Sequence, residues 1–184
     1  MKQVVIRVIA ALAVVLVGTL GARAASLEDT LYMDLKDGRV VIEMRPDLAP
    51  KHVARIKQLV RQGFYNGLTF HRVIPNFVAQ TGDPRGDGTG GSGVKLPPEF
   101  SGEHHVRGTV AMARGSALDS ADSQFYIVLS KPQPYLDNNY TIWGKVVKGM
   151  EFVDKIKQGS PSRNGAVINP DRIIKMQVAA DAKD

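Results

Sequence analysis

The chain reads as a mainly β domain folded into a closed antiparallel barrel. Two observations predict it: many short apolar runs fall at regular spacing, divided by clusters of Gly, Pro, Asp and Asn, and only two segments carry helical periodicity. Its 184 residues suit one domain with a single core, and 43% hydrophobic with 23% charged residues is the composition of a folded protein. No internal repeat or low-complexity linker marks a second domain.

The elements follow in order. Lys2 and Arg7 precede an almost unbroken apolar run over residues 8–20, and Ala22-Arg23-Ala24 places small residues where a signal peptidase reads. That run is shorter than the roughly 20 residues a spanning helix needs. Residues 1–24 are therefore expected to be a signal peptide cut after Ala24, with an uncleaved anchor as the competing reading. The mature domain, residues 25–184, is then periplasmic or secreted, with no stable membrane association. Residues 31–35 and 40–44 are apolar-rich runs joined through Asp37-Gly38, a pair that supplies the positive φ angles of a tight hairpin. Over residues 50–62, Val53, Ile56, Leu59 and Val60 share one face and predict a helix, with Gly63 placed to end it. Further strands are expected at 69–73, 78–80, 109–112, 125–129, 141–147 and 173–178, with a second helix at 150–158. The loop over residues 82–99 is long, and its glycines permit close approach of a bound chain.

Composition excludes several classes. With no cysteine there is no disulfide, no thiolate zinc site and no catalytic thiol. The formal charge of +6 falls to +3 once Lys2, Arg7 and Arg23 leave with the leader. The remaining basic residues are scattered without a run or an aromatic-interleaved stripe, so nucleic acid is not an expected partner. Ser101 and Ser123 lack a His/Asp partnership for hydrolysis. Residues 86–91 are glycine-rich but lack the Gly-Lys-Ser/Thr ending of a phosphate-binding loop. His52 is expected to face solvent from the first helix. His104 and His105 are adjacent, which is not metal-ligand spacing on one face, and no cofactor is expected.

The most informative stretch is Phe70-His71-Arg72-Val73-Ile74-Pro75-Asn76-Phe77-Val78-Ala79-Gln80. It gathers an arginine, an aromatic ring, a small apolar side chain and a glutamine with neither a nucleophile nor a metal-ligand set. Rotation about the bond preceding proline suits such a set. Its barrier of roughly 18–20 kcal/mol comes from amide resonance, which a hydrogen bond and an apolar clamp can weaken. Arg72, always charged and with its donors in a fixed plane, would act on the substrate carbonyl oxygen and the proline nitrogen as the latter turns pyramidal.

This stretch resembles the signature of the cyclophilin family of peptidyl-prolyl cis-trans isomerases. Gly82-Asp83-Pro84, Gly88-Thr89-Gly90-Gly91-Ser92, Gly108-Thr109-Val110-Ala111-Met112-Ala113, Asp122-Ser123-Gln124-Phe125-Tyr126-Ile127 and Tyr140-Thr141-Ile142-Trp143-Gly144-Lys145-Val146 extend the likeness, in family order, from about Thr30 to about Val178. The resemblance implies an eight-stranded barrel capped at each end by a helix. It implies Arg72, Phe77 and Gln80 as the catalytic set. Phe77, Val78, Met112, Tyr126 and Leu136 would line a hollow for the proline ring, Ala113 and Arg114 would pair with the peptide backbone, and His71 would support Arg72. Tyr135 stands where many members carry tryptophan, which implies only weak binding of the drug cyclosporin. Tyr140 replaces a frequent histidine, and its hydroxyl can still reach a substrate. Val78 stands for a frequent methionine, and Asn76 and Thr81 for frequent glycines. The expected activity is isomerisation of X-Pro bonds in proline-containing and unfolded exported polypeptides by a monomer. A non-catalytic module holding proline peptides in the same groove is the alternative.

Overall fold

The computed structural model describes residues 26–183; the expected leader lies outside them. Strands β1 (Thr30–Leu35) and β2 (Gly38–Met44) form an antiparallel hairpin, with Leu31, Met33 and Leu35 facing inward beside Val40, Ile42 and Met44. The turn residues are Lys36 and Asp37, since Leu35 pairs with Gly38. Asp37 is not in a positive-φ conformation, contrary to the expected Asp-Gly turn. Gly38 is needed for space: a Cβ there would sit 2.5 Å from the Phe152 ring.

Helix α1 (Pro50–Arg61) buries Val53, Ile56, Leu59 and Val60 as their spacing requires. It ends in a Schellman motif: Gly63, at φ 69°, donates to the Val60 carbonyl and Phe64 to that of Leu59. His52 corrects the expectation of a solvent-facing ring, for it is fully buried. Its Nδ1 lies 2.7 Å from a Glu99 carboxylate oxygen. The same carboxylate accepts from the backbone N–H groups of Lys51 and His52, at 3.1 and 3.0 Å. Ala49 has no side chain to cap the helix, so Glu99, at the far end of the long loop, performs that task.

The remaining strands are β3 (Arg72–Ile74), β4 (Val78–Thr81), β5 (Thr109–Met112), β6 (Phe125–Val128), β7 (Ile142–Lys148) and β8 (Lys175–Val178). All pairings are antiparallel, in the order β3-β4-β6-β5-β7-β2-β1-β8. The sheet is an open half-barrel, which corrects the expected closure. The outer edge of β3 is already occupied by residues 159–167. Val73 donates to Gly165 at 2.8 Å, Val167 to His71 at 3.1 Å, and Gly159 to Val73 at 2.9 Å. Between the chain before β3 and the chain before β8 there is no strand ladder among the described residues, only an isolated bridge, Thr69 with Arg172, flanked by backbone bonds from Phe70 to Asp171 at 2.9 Å and from Ile173 to Leu68 at 2.9 Å. Helix α2 (Met150–Val153) stops short of the expected residue 158. Beyond it the Lys157 N–H is taken by the Asp171 carboxylate at 2.8 Å rather than by a helical carbonyl.

Strand alternation sorts the apolar residues into two clusters. Val110 and Met112 of β5, with Phe125 and Ile127 of β6, join Trp143, Phe70 and α1 in the main interior. Ala111, Tyr126 and Val128 point to the opposite face, where Val78, Leu136 and Ile142 meet them and Phe77, Ala113 and Tyr140 pack at the margin. That second face carries the candidate site.

The Glu99 cap yields a stability prediction. Burial pushes Glu99 upward, but the His52 ring and the two backbone N–H groups outweigh it and hold the carboxyl below its ordinary 4.5. A depressed carboxyl stabilises the fold above its unfolded pKa, and that stability is lost as pH falls through the folded value. Glu99→Ala is expected to cost about 1–2 kcal/mol at neutral pH in urea unfolding. The deficit should shrink below pH 4.5, where the wild-type carboxyl also becomes protonated. A variant as stable as wild type at pH 7 would contradict this.

Candidate active site

Arg72 and Gln80 are directly opposed in the β3–β4 ladder, which puts their side chains together on one face. Arg72 Nη1 donates to Gln80 Oε1 at 3.0 Å. Its Nε donates to the Asn164 backbone carbonyl at 3.1 Å and Nη2 to Asn164 Oδ1 at 3.2 Å. Gln80 is held in turn: its Nε2 donates to Gln124 Oε1 at 2.9 Å, and Gln124 Nε2 donates to the Gly88 and Gly90 carbonyls at 3.0 and 2.8 Å. The chain of amides thus runs from the guanidinium into the long glycine loop. Each amide has its oxygen and nitrogen assigned by the neighbours it serves.

Among the described residues no carboxylate pairs with Arg72. Burial lowers its pKa from the ordinary guanidinium value, the nearby Tyr140 and Tyr135 acting in the opposite sense. A guanidinium has five N–H donors; three serve Asn164 and Gln80, which leaves two for a ligand.

Beside Arg72 opens a hollow of about 390 Å³ lined by Phe77, Val78, Gln80, Ala113, Arg114, Tyr126, Tyr135, Leu136, Asn139 and Tyr140. Its walls are aromatic. Phe77 and Tyr135 have ring centroids 5.8 Å apart, and Tyr126 and Tyr140 meet edge to face at 5.7 Å. The wall formed by the short 3₁₀ turn Pro134–Leu136 is pinned by the next residue, Asp137. Its carboxylate accepts from the His105 N–H at 2.8 Å and lies 2.7 Å from His104 Nδ1 and 2.9 Å from His105 Nδ1. Burial raises the Asp137 pKa, but those partners prevail and hold it down at about 2. The paired histidines thus brace a wall. The buried His105 ring also stacks behind Tyr126 at 6.1 Å.

Ten of the expected residues therefore converge: Arg72, Phe77, Val78, Gln80, Ala113, Arg114, Tyr126, Tyr135, Leu136 and Tyr140. Two do not. Met112 faces the main interior at 1% exposure, so it is no part of the hollow's lining; Ala111 takes the outward position on β5. His71 lies on the far side of Arg72, beside Gly86, Asp87 and Asn164. Burial lowers its pKa, with Asp83 opposing. Its neighbourhood allows support of β3, and it does not line the hollow beside Arg72. Ala113 spends its backbone N–H on the Gln124 carbonyl at 2.9 Å.

Three contributors carry no sequence expectation. Gln124 lies inside a quoted motif but signals its role only through Gln80. Asn139 holds Arg114 through its carbonyl at 2.8 Å. Asn164 has a local signal, an Asn-Gly pair that marks a turn, and it does adopt the left-handed conformation at φ 52°. Nothing local ties it to Arg72, 92 positions away.

Residues 30–178 match the family described as cyclophilin type peptidyl-prolyl cis-trans isomerase/CLD. A probable peptidyl-prolyl cis-trans isomerase of Brucella suis is 56% identical over 174 residues, covering 88% of each chain. Peptidyl-prolyl cis-trans isomerase B of Bacillus subtilis is 44% identical over 133 residues, 71% of this chain and 92% of that one. Among solved structures, a cyclophilin of Hirschia baltica has the same fold at TM-score 0.77 and 23% identity, over 88% of this chain and 77% of the other. A cyclophilin type isomerase of Cryptosporidium parvum, crystallised in the presence of the dipeptide Ala-Pro, gives TM-score 0.73 at 25% identity, over 81% of this chain and 98% of that one. The chain belongs to the cyclophilin-type peptidyl-prolyl cis-trans isomerase family.

The amide relay predicts a defect in turnover when its middle member is removed. Gln80→Leu frees one side of Arg72 and leaves Gln124 Oε1 without its donor. A hydrogen bond to a charged group is worth roughly 1.5–3 kcal/mol, so kcat/KM for an X-Pro peptide should fall about tenfold or more. Unchanged kinetics in a folded variant would remove Gln80 from the mechanism.

Proposed function

We propose that the hollow receives the proline ring of an X-Pro segment and that Arg72 catalyses rotation about the preceding peptide bond. The observation that carries this is the guanidinium itself: anchored by three hydrogen bonds, free of any carboxylate partner among the described residues and left with two donors at the lip of an aromatic hollow.

Rotation breaks no covalent bond. It requires loss of amide resonance, and the proline nitrogen becomes pyramidal with a localised lone pair as the peptide twists. A fixed N–H aimed at that lone pair binds the twisted form better than the planar one, and only such differential binding lowers the barrier. Each 1.36 kcal/mol of the difference is worth about tenfold in rate. Val78, Tyr126 and Leu136 form the apolar seat for the ring, while Phe77 and Tyr135 wall it off from water. The anchoring of Arg72 means that little reorganisation accompanies the twist. The Ala-Pro dipeptide named with the Cryptosporidium parvum isomerase supports a proline-bearing peptide as the occupant.

The substrates we propose are unfolded polypeptides refolding after export. The support is the sequence pattern of residues 1–24, a basic start, an apolar run and Ala22-Arg23-Ala24. Uncatalysed X-Pro isomerisation takes tens to hundreds of seconds, slow enough to hold up refolding. Cyclosporin binding is expected to be weak, because Tyr135, 61% exposed, offers a smaller and looser wall than tryptophan.

Two outcomes test the reading. A chain starting at Ala25, mixed with a short X-Pro peptide, should accelerate cis-trans exchange in NMR. Arg72→Ala should lose about a hundredfold or more, in the range seen when a preorganised donor is removed. A folded wild type that leaves the exchange rate unchanged would end the isomerase reading. For the leader, mass spectrometry of the exported protein should find Ala25 as the first residue; an intact Met1 start would contradict cleavage.

A further inference from the structure

The proline hollow does not end at its own wall. A second hollow of about 340 Å³ shares Gln80, Ala113 and Arg114 with it and continues over residues 88–91 to Lys95, Asp122 and Gln124. Arg114 stands at the junction of the two.

The bonding of Arg114 is unusual for a groove cation. Its Nε donates to the Asn139 carbonyl at 2.8 Å, and its Nη1 to the Gly115 and Ser116 carbonyls at 3.0 and 3.4 Å. Its guanidinium lies 5.0 Å from the Tyr140 ring centroid. These contacts fix its position and leave its charge unbalanced, since no described carboxylate pairs with it. Lys95, exposed, also lines the second hollow and likewise has no ion pair among the described residues.

The one acid lining this region is already engaged. Asp122 accepts from the Ser92 N–H and hydroxyl at 2.7 and 2.5 Å and from the Gly93 N–H at 3.0 Å. Arg55 donates to the same Ser92 hydroxyl at 2.9 Å. Asp87 and Asp119 line neither hollow. Arg72, Arg114 and Lys95 thus face the continuous groove against a single, satisfied carboxylate.

We propose that Arg114, seconded by Lys95, is a charge-selecting residue, and that the groove prefers X-Pro segments with an acidic side chain close to the proline. The proposal rests on the isomerase reading above and specifies its substrate class. The guanidinium is pinned by carbonyls and by an aromatic face, so a carboxylate finds a donor fork already held in place. A lysine side chain at the same place meets two like charges.

The test is a set of capped peptides with one X-Pro pair, bearing Glu, Gln or Lys one or two residues to either side. Exchange is measured by NMR with wild type, Arg114→Gln and Arg114→Lys. An exposed charge pair changes binding by up to about fivefold, so at one position at least kcat/KM should rank Glu over Gln over Lys, with Glu over Lys by roughly fivefold or more. The ratio should approach unity in Arg114→Gln, return in Arg114→Lys, and flatten at high salt because the charges are accessible to screening. Equal rates across the series in an active wild type would overturn charge selection while leaving the isomerase intact. A ratio that survives Arg114→Gln would overturn the role of Arg114. Failure to accelerate any peptide would remove the isomerase reading and this proposal together.

Discussion

Everything at the site depends on what holds the edge strand β3. A three-residue strand at the margin of a sheet is a poor platform for a fixed charge, because one of its edges is normally left to water. Here residues 159–167 occupy that edge through the bonds to Val73 and His71. This wedge leaves β3 no free edge to pair with β8, and it carries Asn164, whose backbone carbonyl and side-chain oxygen accept from Arg72. The open seam and the anchored guanidinium are thus two consequences of one packing arrangement. Losing the wedge would expose the strand edge and release the arginine together.

From that anchor the order spreads outward through amides. Gln80 and Gln124 pass it to the loop carbonyls of Gly88 and Gly90. A Cβ at Gly90 would sit 2.0 Å from the Asp83 carboxylate, and one at Gly91 would sit 2.6 Å from that of Asp122, so both positions require glycine for space. At its far end the same loop delivers Glu99 to the start of α1. The long loop is therefore a structural tie between helix and site rather than slack chain, and its glycines serve close packing of the protein on itself as much as access for a ligand.

Much of this was legible in the chain before any coordinates, because periodicity reports burial directly. The face of α1 and its Gly63 terminus follow from spacing alone, and so do the inward residues of β1 and β2. The motif around Arg72 supplies four of the hollow's side chains, Arg72, Phe77, Val78 and Gln80, and the family resemblance further along the chain supplies the other six expected residues that line it. Met112 went astray where likeness to a family was preferred to alternation: Ala111 and Met112 must point to opposite faces of β5, and only one can join Tyr126. His52 misled because a titratable residue on a helix is usually solvated, and its partner Glu99 is 47 positions away. The open seam of the sheet and the role of Asn164 are hidden for the same reason. Both are set by a loop returning to a strand edge, and loop returns leave no periodic trace.

The mechanism we propose needs a positioned planar donor, and not positive charge alone, to lower the rotational barrier. Arg72→Lys keeps the charge and loses the fork held by Gln80 and Asn164. The direct measurement is NMR exchange at saturating X-Pro peptide, which reads rotation on the enzyme apart from binding. Arg72→Lys is expected still to saturate with peptide while bound cis-trans exchange slows about a hundredfold. Exchange in the lysine variant as fast as in wild type would contradict it and reduce Arg72 to a source of charge.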